Sequence, residues 1–195
     1  VKGHAAHGFR PEEGINAVEQ AAKILAALEK LPMREHPDFG RGNYSTLKIE
    51  GGYEIYAVVV PDRCRVEINR LLVPGETPSL AVEDMAALVE SLDLEAEVDI
   101  GLKPPAYEPF LVSRTDPIME VFHQVYREVM GLEPLYAYRK SITDANIFAE
   151  SGIPSLHLGP PQGNVHQPNE FVPLDWLEPI SQMYALIAAR FLSNG

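Results

Sequence analysis

Histidines are the side chains best suited to hold a metal or polarise a carbonyl near neutral pH, and two of the six in this chain stand where the pattern favours chemistry. His7 lies in His4-Ala5-Ala6-His7-Gly8-Phe9-Arg10-Pro11, just ahead of a helix-like run. A histidine there can donate a hydrogen bond to a developing oxyanion, although a merely solvated loop histidine fits the same spacing. His166 lies in Gly163-Asn164-Val165-His166-Gln167-Pro168-Asn169-Glu170, after an apolar strand-like run. α/β folds place ligands in such loops, beyond the carboxyl ends of strands. A neutral imidazole is a common metal ligand, and Glu170 is near enough to orient it; a polar loop shaped by its Pro and Asn is the other reading. Thr143-Asp144-Ala145-Asn146 opens a short helical run, where Thr or Asp serves either as a cap or as a site residue. Arg139, just upstream with Lys140, could clamp a substrate carboxylate bidentately or simply face solvent. His36, His123 and His157 read as structural, and the single cysteine, Cys64, as a small buried hydrophobe.

These residues need a scaffold, and the periodicity supplies one. Ile15, Val18, Ala22, Leu25 and Leu28 recur at helical spacing over residues 14–31, stopped by Pro32. Residues 45–50, 53–60 and 65–72 read as strands, with Gly51-Gly52 and Pro61-Asp62 as turns and with Leu47 and Ile49 sharing one face. A helix is expected over 80–92 with Ser79 as its cap, then a strand over 95–100 and a linker at Lys103-Pro104-Pro105. Residues 1–103 therefore read as an α+β layer, helices covering one face of an antiparallel sheet. Beyond the linker the order changes: a helix over 116–130 capped by Thr115 and stopped by Gly131, a short strand over 135–138, a helix over 143–151, a buried strand over 153–158, and a closing helix over 174–192. Alternating helix and strand predicts part of an α/β sheet, but two strands are too few for a complete one.

Composition narrows the partners. The 195 residues are 46% hydrophobic and 23% charged, ordinary for a globular protein. A net charge of −12 argues against nucleic acid and against an anionic membrane surface. No apolar run approaches the ~18 residues that span a bilayer. One cysteine leaves no disulfide framework within the chain, and a reducing cytoplasmic setting is expected. The chain opens without Met and without a secretory pattern, an indication of sequence upstream.

Four motifs in order resemble one family. Val1-Lys2-Gly3, His7, Pro11, Gly14 and Asn16-Ala17 are similar to the opening of the lid, or dimerisation, domain of two-metal exopeptidases and deacylases. That family includes aminoacylase, acetylornithine deacetylase, succinyl-diaminopimelate desuccinylase and carboxypeptidase G. Val60-Pro61-Asp62, Glu67-Ile68-Asn69-Arg70 and Pro74-Gly75-Glu76-Thr77 resemble its middle strands. Thr143-Asp144-Ala145, Gly152-Ile153-Pro154, Leu158-Gly159-Pro160 and His166-Gln167-Pro168-Asn169-Glu170-Phe171-Val172 resemble its closing catalytic segment.

The resemblance implies a βαββαβ-like lid with two helices over residues 1–103, its first strand mostly before Val1, followed at 104–195 by the C-terminal part of an α/β catalytic domain. It implies hydrolysis of the amide bond of an N-acyl amino acid or short peptide by metal-activated water. His166 would be one ligand of two divalent ions, zinc before cobalt or manganese. His7 would reach into the partner's active site in a homodimer formed through the lid, and polarise the scissile carbonyl. Thr143 and Asp144 would line the substrate pocket, Arg139 would bind a carboxylate, and Asn16 would cap or line. The family's His-x-Asp metal motif and its paired Glu-Glu general base are not matched, Glu12-Glu13 lying in the lid loop. The chain alone is therefore expected to be inactive. The alternative is a non-catalytic dimerisation or interaction module.

Overall fold

The computed structural model describes residues 1–55, 58–138 and 141–193. They divide into two units, Val1–Pro109 and Phe110–Gly195.

In the first unit, α1 (Ala17–Ala27) starts at Asn16, whose side-chain oxygen accepts from the Val18 and Glu19 amides while its own amide donates to the Glu19 carboxylate. This satisfies donors that a helix start otherwise leaves open. Two short strands, β1 (Glu35–His36) and β2 (Gly40–Arg41), pair antiparallel. β3 (Asn43–Gly51) then pairs antiparallel with β4 (Cys64–Leu71), from Asn43 opposite Leu71 to Gly51 opposite Cys64. α2 (Pro78–Glu90) follows. Both helices lie on one face of this ribbon. Ala27, Leu28 and Leu31 bury with Leu88 of α2 against Tyr44 and Ile68, and Ala17 and Ala21 bury against Cys64 and Val66. Alternate residues of β4 thus supply the sheet side of the core, as the two-residue period requires.

That same period carries Arg70 to the inner face, with only 9% of its side chain exposed. Its Nη2 donates to Glu76 at 2.9 Å, to Asp84 at 2.8 Å and to the Pro32 carbonyl at 2.9 Å. Arg34 donates to the same two carboxylates at 3.2 and 2.9 Å. Glu76, whose side chain is 2% exposed, also accepts the Val73 amide. Charges this far from water persist only when paired. The cluster ties β4, the loop before α2 and α2 itself together.

The chain departs from expectation where strand pairing decides the outcome. Among the described residues of 53–60 there is no strand; Tyr56 and Ala57 lie outside them. Gly52 turns the chain at φ 90°, and the Tyr53 hydroxyl donates to Asp62. β3 therefore takes β4 as its neighbour rather than a hairpin partner. Its register slips between Thr46 and Lys48, and Leu47 and Ile49 stay 65% and 50% exposed instead of entering the core. The strand expected over 95–100 is reduced to one bridge, Glu97 to Lys2; Lys2 also bridges Arg63, so it lies antiparallel between the two. Thr77 and Asp116, not Ser79 and Thr115, are the helix caps. Each precedes a proline at the first helical position, which favours an extended residue before it and needs no N–H of its own.

The second unit is built from α3 (Pro117–Met130), α4 (Ala145–Glu150) and α5 (Leu177–Ser193). Val121 and Val125 of α3 bury against Ile180 and Met183 of α5. Gly131, at φ 66°, ends α3 as expected. The strands predicted over 135–138 and 153–158 are absent, and the unit has no strand among its described residues. Leu135 is 96% exposed, and Leu132, Ile153, Phe171 and Leu174 are each more than half exposed. A strand needs a ladder partner, and a parallel strand needs cover on both faces; neither is present among the described residues. No helix among the described residues is long and apolar enough to cross a membrane.

Candidate functional site

The His7 loop is anchored by backbone on both sides. Gly8 donates to the Val58 carbonyl at 3.0 Å, and Val60 donates to the Ala6 carbonyl at 2.9 Å. Downstream, His4 and Ile15 exchange two hydrogen bonds at 2.9 Å, and Gly14 allows this approach, since a Cβ there would lie 2.7 Å from the His4 carbonyl oxygen. The loop tip closes as a tight turn, Arg10 donating to the His7 carbonyl at 2.7 Å. His7 itself is exposed. The Phe9 amide donates to its Nδ1 at 3.2 Å, and the Phe9 ring stacks on it, centroids 5.6 Å apart. Asn16, one of the expected site residues, is occupied as the cap of α1.

His166 sits at the apex of a loop closed by the paired residues Gly163 and Phe171, whose backbones exchange hydrogen bonds at 3.0 and 3.1 Å. Three non-glycine residues in this loop adopt left-handed backbone: Asn164 at φ 52°, His166 at 59° and Asn169 at 62°. Such conformations cost roughly 1–2 kcal/mol each outside glycine, with Asn and His the more tolerant types. The Asn164 side chain donates to the Asn169 carbonyl, helping to hold the curl. Glu170 does not orient the imidazole as expected; its carboxylate accepts the backbone N–H of His166 at 3.3 Å. The ring remains exposed.

In the same unit, Asp144 stands at the start of α4 but makes no capping hydrogen bond. Asn146, buried within α4, accepts the Thr143 amide at 3.1 Å. Asp144 is left exposed, and the Thr143 hydroxyl meets His157 Nε2 at 2.8 Å. His157 therefore meets the start of α4 and lies in no strand. Arg139 lies outside the described residues.

No group of three or more His, Cys, Asp or Glu able to hold a metal occurs among the described residues. A metal site needs about four donors, so the residues here do not fit a complete one. The sequence does hold one His-x-Asp spacing, His36-Pro37-Asp38. It lies at the turn between β1 and β2, where the Asp38 amide donates to His36 Nδ1 at 3.2 Å, and it gathers no further ligand.

Comparison with known proteins agrees with this anatomy. Residues 1–97 match the peptidase dimerisation domain. Over 94% of its length the chain is 24% identical to a succinyl-diaminopimelate desuccinylase of Sulfurovum, covering 48% of that protein. A second such desuccinylase, from Dechloromonas aromatica, is 26% identical over 99% of the chain, which covers 50% of it. The chain thus spans about half the length of the curated relatives it matches. Among solved structures, a tripeptidase of Staphylococcus aureus superposes with a TM-score of 0.71 at 23% identity, covering 95% of this chain and 48% of its own. The aminopeptidase PepT of Bacillus cereus does so with a TM-score of 0.68, also at 23% identity and with the same coverage, 95% and 48%. The chain therefore carries a peptidase dimerisation domain over residues 1–97, and along nearly its whole length it is similar to succinyl-diaminopimelate desuccinylases.

Proposed function

We propose that this chain is the C-terminal portion of a metal-dependent amide hydrolase, which cleaves an N-acyl amino acid or short peptide in the cytoplasm. In this reading residues 1–103 are a βαββαβ-like lid that forms a homodimer, and residues 104–195 complete a catalytic domain begun elsewhere in the enzyme. The carrying observation is the loop around His166, which holds an exposed imidazole on strained backbone. Strain of that kind is retained where geometry matters more than stability. The exposed Leu135, Ile153 and Phe171 support the same reading, since large apolar side chains left open are surfaces for packing against further sequence. The exposed apolar side chains of β3, Leu47 and Ile49, support the dimer.

His166 would be one donor to a pair of divalent ions, zinc before cobalt or manganese, with the remaining donors and the general base outside this chain. The ions' contribution is a water made nucleophilic near neutral pH. His7, from the neighbouring lid, would donate a hydrogen bond to the scissile carbonyl oxygen as it gains charge. Thr143 and Asp144 would line the pocket and Arg139 would bind the substrate carboxylate, while Asn16 acts only through its cap. The chain by itself would not hydrolyse substrate.

In the complete enzyme, His7→Ala is expected to lower turnover by roughly 10²–10³, as loss of an oxyanion donor does, while metal content holds. His166→Ala is expected to lose metal first. Equal loss of metal and turnover in both variants would contradict the assignment and leave a dimerisation module as the better account.

A further inference from the structure

His7 is held by its own loop in a way that decides which ring nitrogen carries the proton. The Phe9 backbone N–H points at Nδ1 from 3.2 Å. A backbone amide can only donate, so Nδ1 must accept. A neutral imidazole has one donor and one acceptor nitrogen, and the proton is thereby placed on Nε2. The Phe9 ring adds a second constraint, stacking on the imidazole with 28° between the planes. The turn that brings Phe9 back is closed by the Arg10 amide on the His7 carbonyl, and Arg10 is tethered in turn to Glu13 at 3.3 Å. The Phe9 side chain is 83% exposed, so burial does not explain why an aromatic stands there.

We propose that Phe9 is a positioning residue whose amide and ring fix His7 as the Nε2–H tautomer in one orientation, presenting a hydrogen-bond donor to a carbonyl oxygen. This rests on the role proposed for His7, because only a donor, never an acceptor, stabilises a developing oxyanion. A ring free to exchange tautomers would offer its lone pair to the substrate for part of the time. The same kind of hydrogen bond occurs at His36, whose Nδ1 accepts from the Asp38 amide at 3.2 Å, which supplies an internal comparison.

The test is nitrogen NMR of the full chain carrying ¹⁵N-histidine, at a pH where imidazole is neutral, with His7 assigned by His7→Gln. His7 is expected to show Nδ1 as acceptor and Nε2 as protonated, their shifts further apart than in a free histidine peptide. Phe9→Pro, which deletes the amide proton, should draw the two shifts together, whereas Phe9→Ala should preserve them and His36 should not move in either variant. Free-peptide shifts for His7 in the unmodified chain overturn the proposal without any variant, as do shifts indifferent to Phe9→Pro. In the complete enzyme, Phe9→Pro should lower kcat with little change in KM, by less than the roughly 10²-fold that outright loss of a donor costs. A locked ring with kcat unchanged in Phe9→Pro and His7→Ala alike would refute the oxyanion role while leaving the tautomer lock standing.

Discussion

Glu76→Ala removes the acceptor at the centre of the buried charge cluster and gives the sharpest stability test of the first unit. The substitution strips one partner from Arg70, whose side chain is 9% exposed, and one from the Val73 amide. Breaking a buried ion pair from one side costs about 3–5 kcal/mol, because the other charge stays desolvated. Arg70 would retain Asp84 and the Pro32 carbonyl, so the low end, about 3 kcal/mol, is expected. With a urea dependence of about 1.5–2 kcal/mol per molar, the unfolding midpoint should fall by roughly 1.5–2 M, followed by far-UV circular dichroism. Glu76→Gln keeps the shape and an acceptor for Val73 and should fall about half as far. Glu97→Ala, removing an exposed partner of Lys2, should leave the midpoint unchanged. Two nitrogens of Arg70, Nε and Nη1, already lack partners. Arg70→Met combined with Glu76→Leu should therefore recover much of the loss, since an apolar replacement removes the desolvation penalty along with the pair. A midpoint shift below about 0.5 M for Glu76→Ala would mean that the cluster is effectively solvated, and would refute this reasoning.

Acid should weaken the same unit. Burial pushes the Asp84 carboxyl up, but hydrogen bonds from Arg34 and Arg70 and their charges outweigh it and hold it below the ordinary range. The Lys103 hydrogen bond lowers Glu67, and the Lys2 hydrogen bond lowers Asp99. A carboxyl depressed in the folded state binds fewer protons there than in the unfolded chain, so its stabilisation is present above about pH 4 and lost as pH falls through the folded-state value. A urea midpoint flat between pH 4 and 2.5 would contradict this. Asn16→Ala should cost about 1 kcal/mol through loss of the α1 cap, lowering the thermal midpoint of a domain this size by roughly 4–8 °C. Cys64, buried with its thiol pushed up by burial, should react with a thiol reagent only on opening of the first unit, its labelling rate rising as urea approaches the midpoint. Fast labelling in native buffer would place it at the surface.

The parts of the fold legible in the sequence were those fixed by local chemistry. α1, α3 and α5 follow from apolar residues at helical spacing, and Gly131 marks the end of α3 by the left-handed backbone it adopts. The alternation over 65–72 predicts β4 and places Arg70 on its inner face. What the sequence did not reveal depends on partners distant in the chain. β3 could not be assigned its neighbour, because residues 53–60 are as β-prone as residues 64–71 and only pairing separates them. Ile153 and Leu158 read as a buried strand, yet with no adjacent strand the segment stays irregular, and Leu158 is tied down by the Tyr184 hydroxyl instead. The histidine loops were visible as motifs, but not the Phe9 contact to His7, the His157 contact to Thr143 or the diversion of Glu170 to backbone. Two of these are hydrogen bonds within single turns and the third joins Thr143 to His157 across α4; hydrophobic periodicity is blind to all three.

The central claim is that the His166 ring is a metal donor in the complete enzyme. A crystal structure of that enzyme grown with zinc, with anomalous data collected at the zinc edge, tests it directly. The expected result is a peak at about 2.0–2.1 Å from a ring nitrogen of His166. Zinc bound elsewhere, with that ring turned to bulk water, would contradict it.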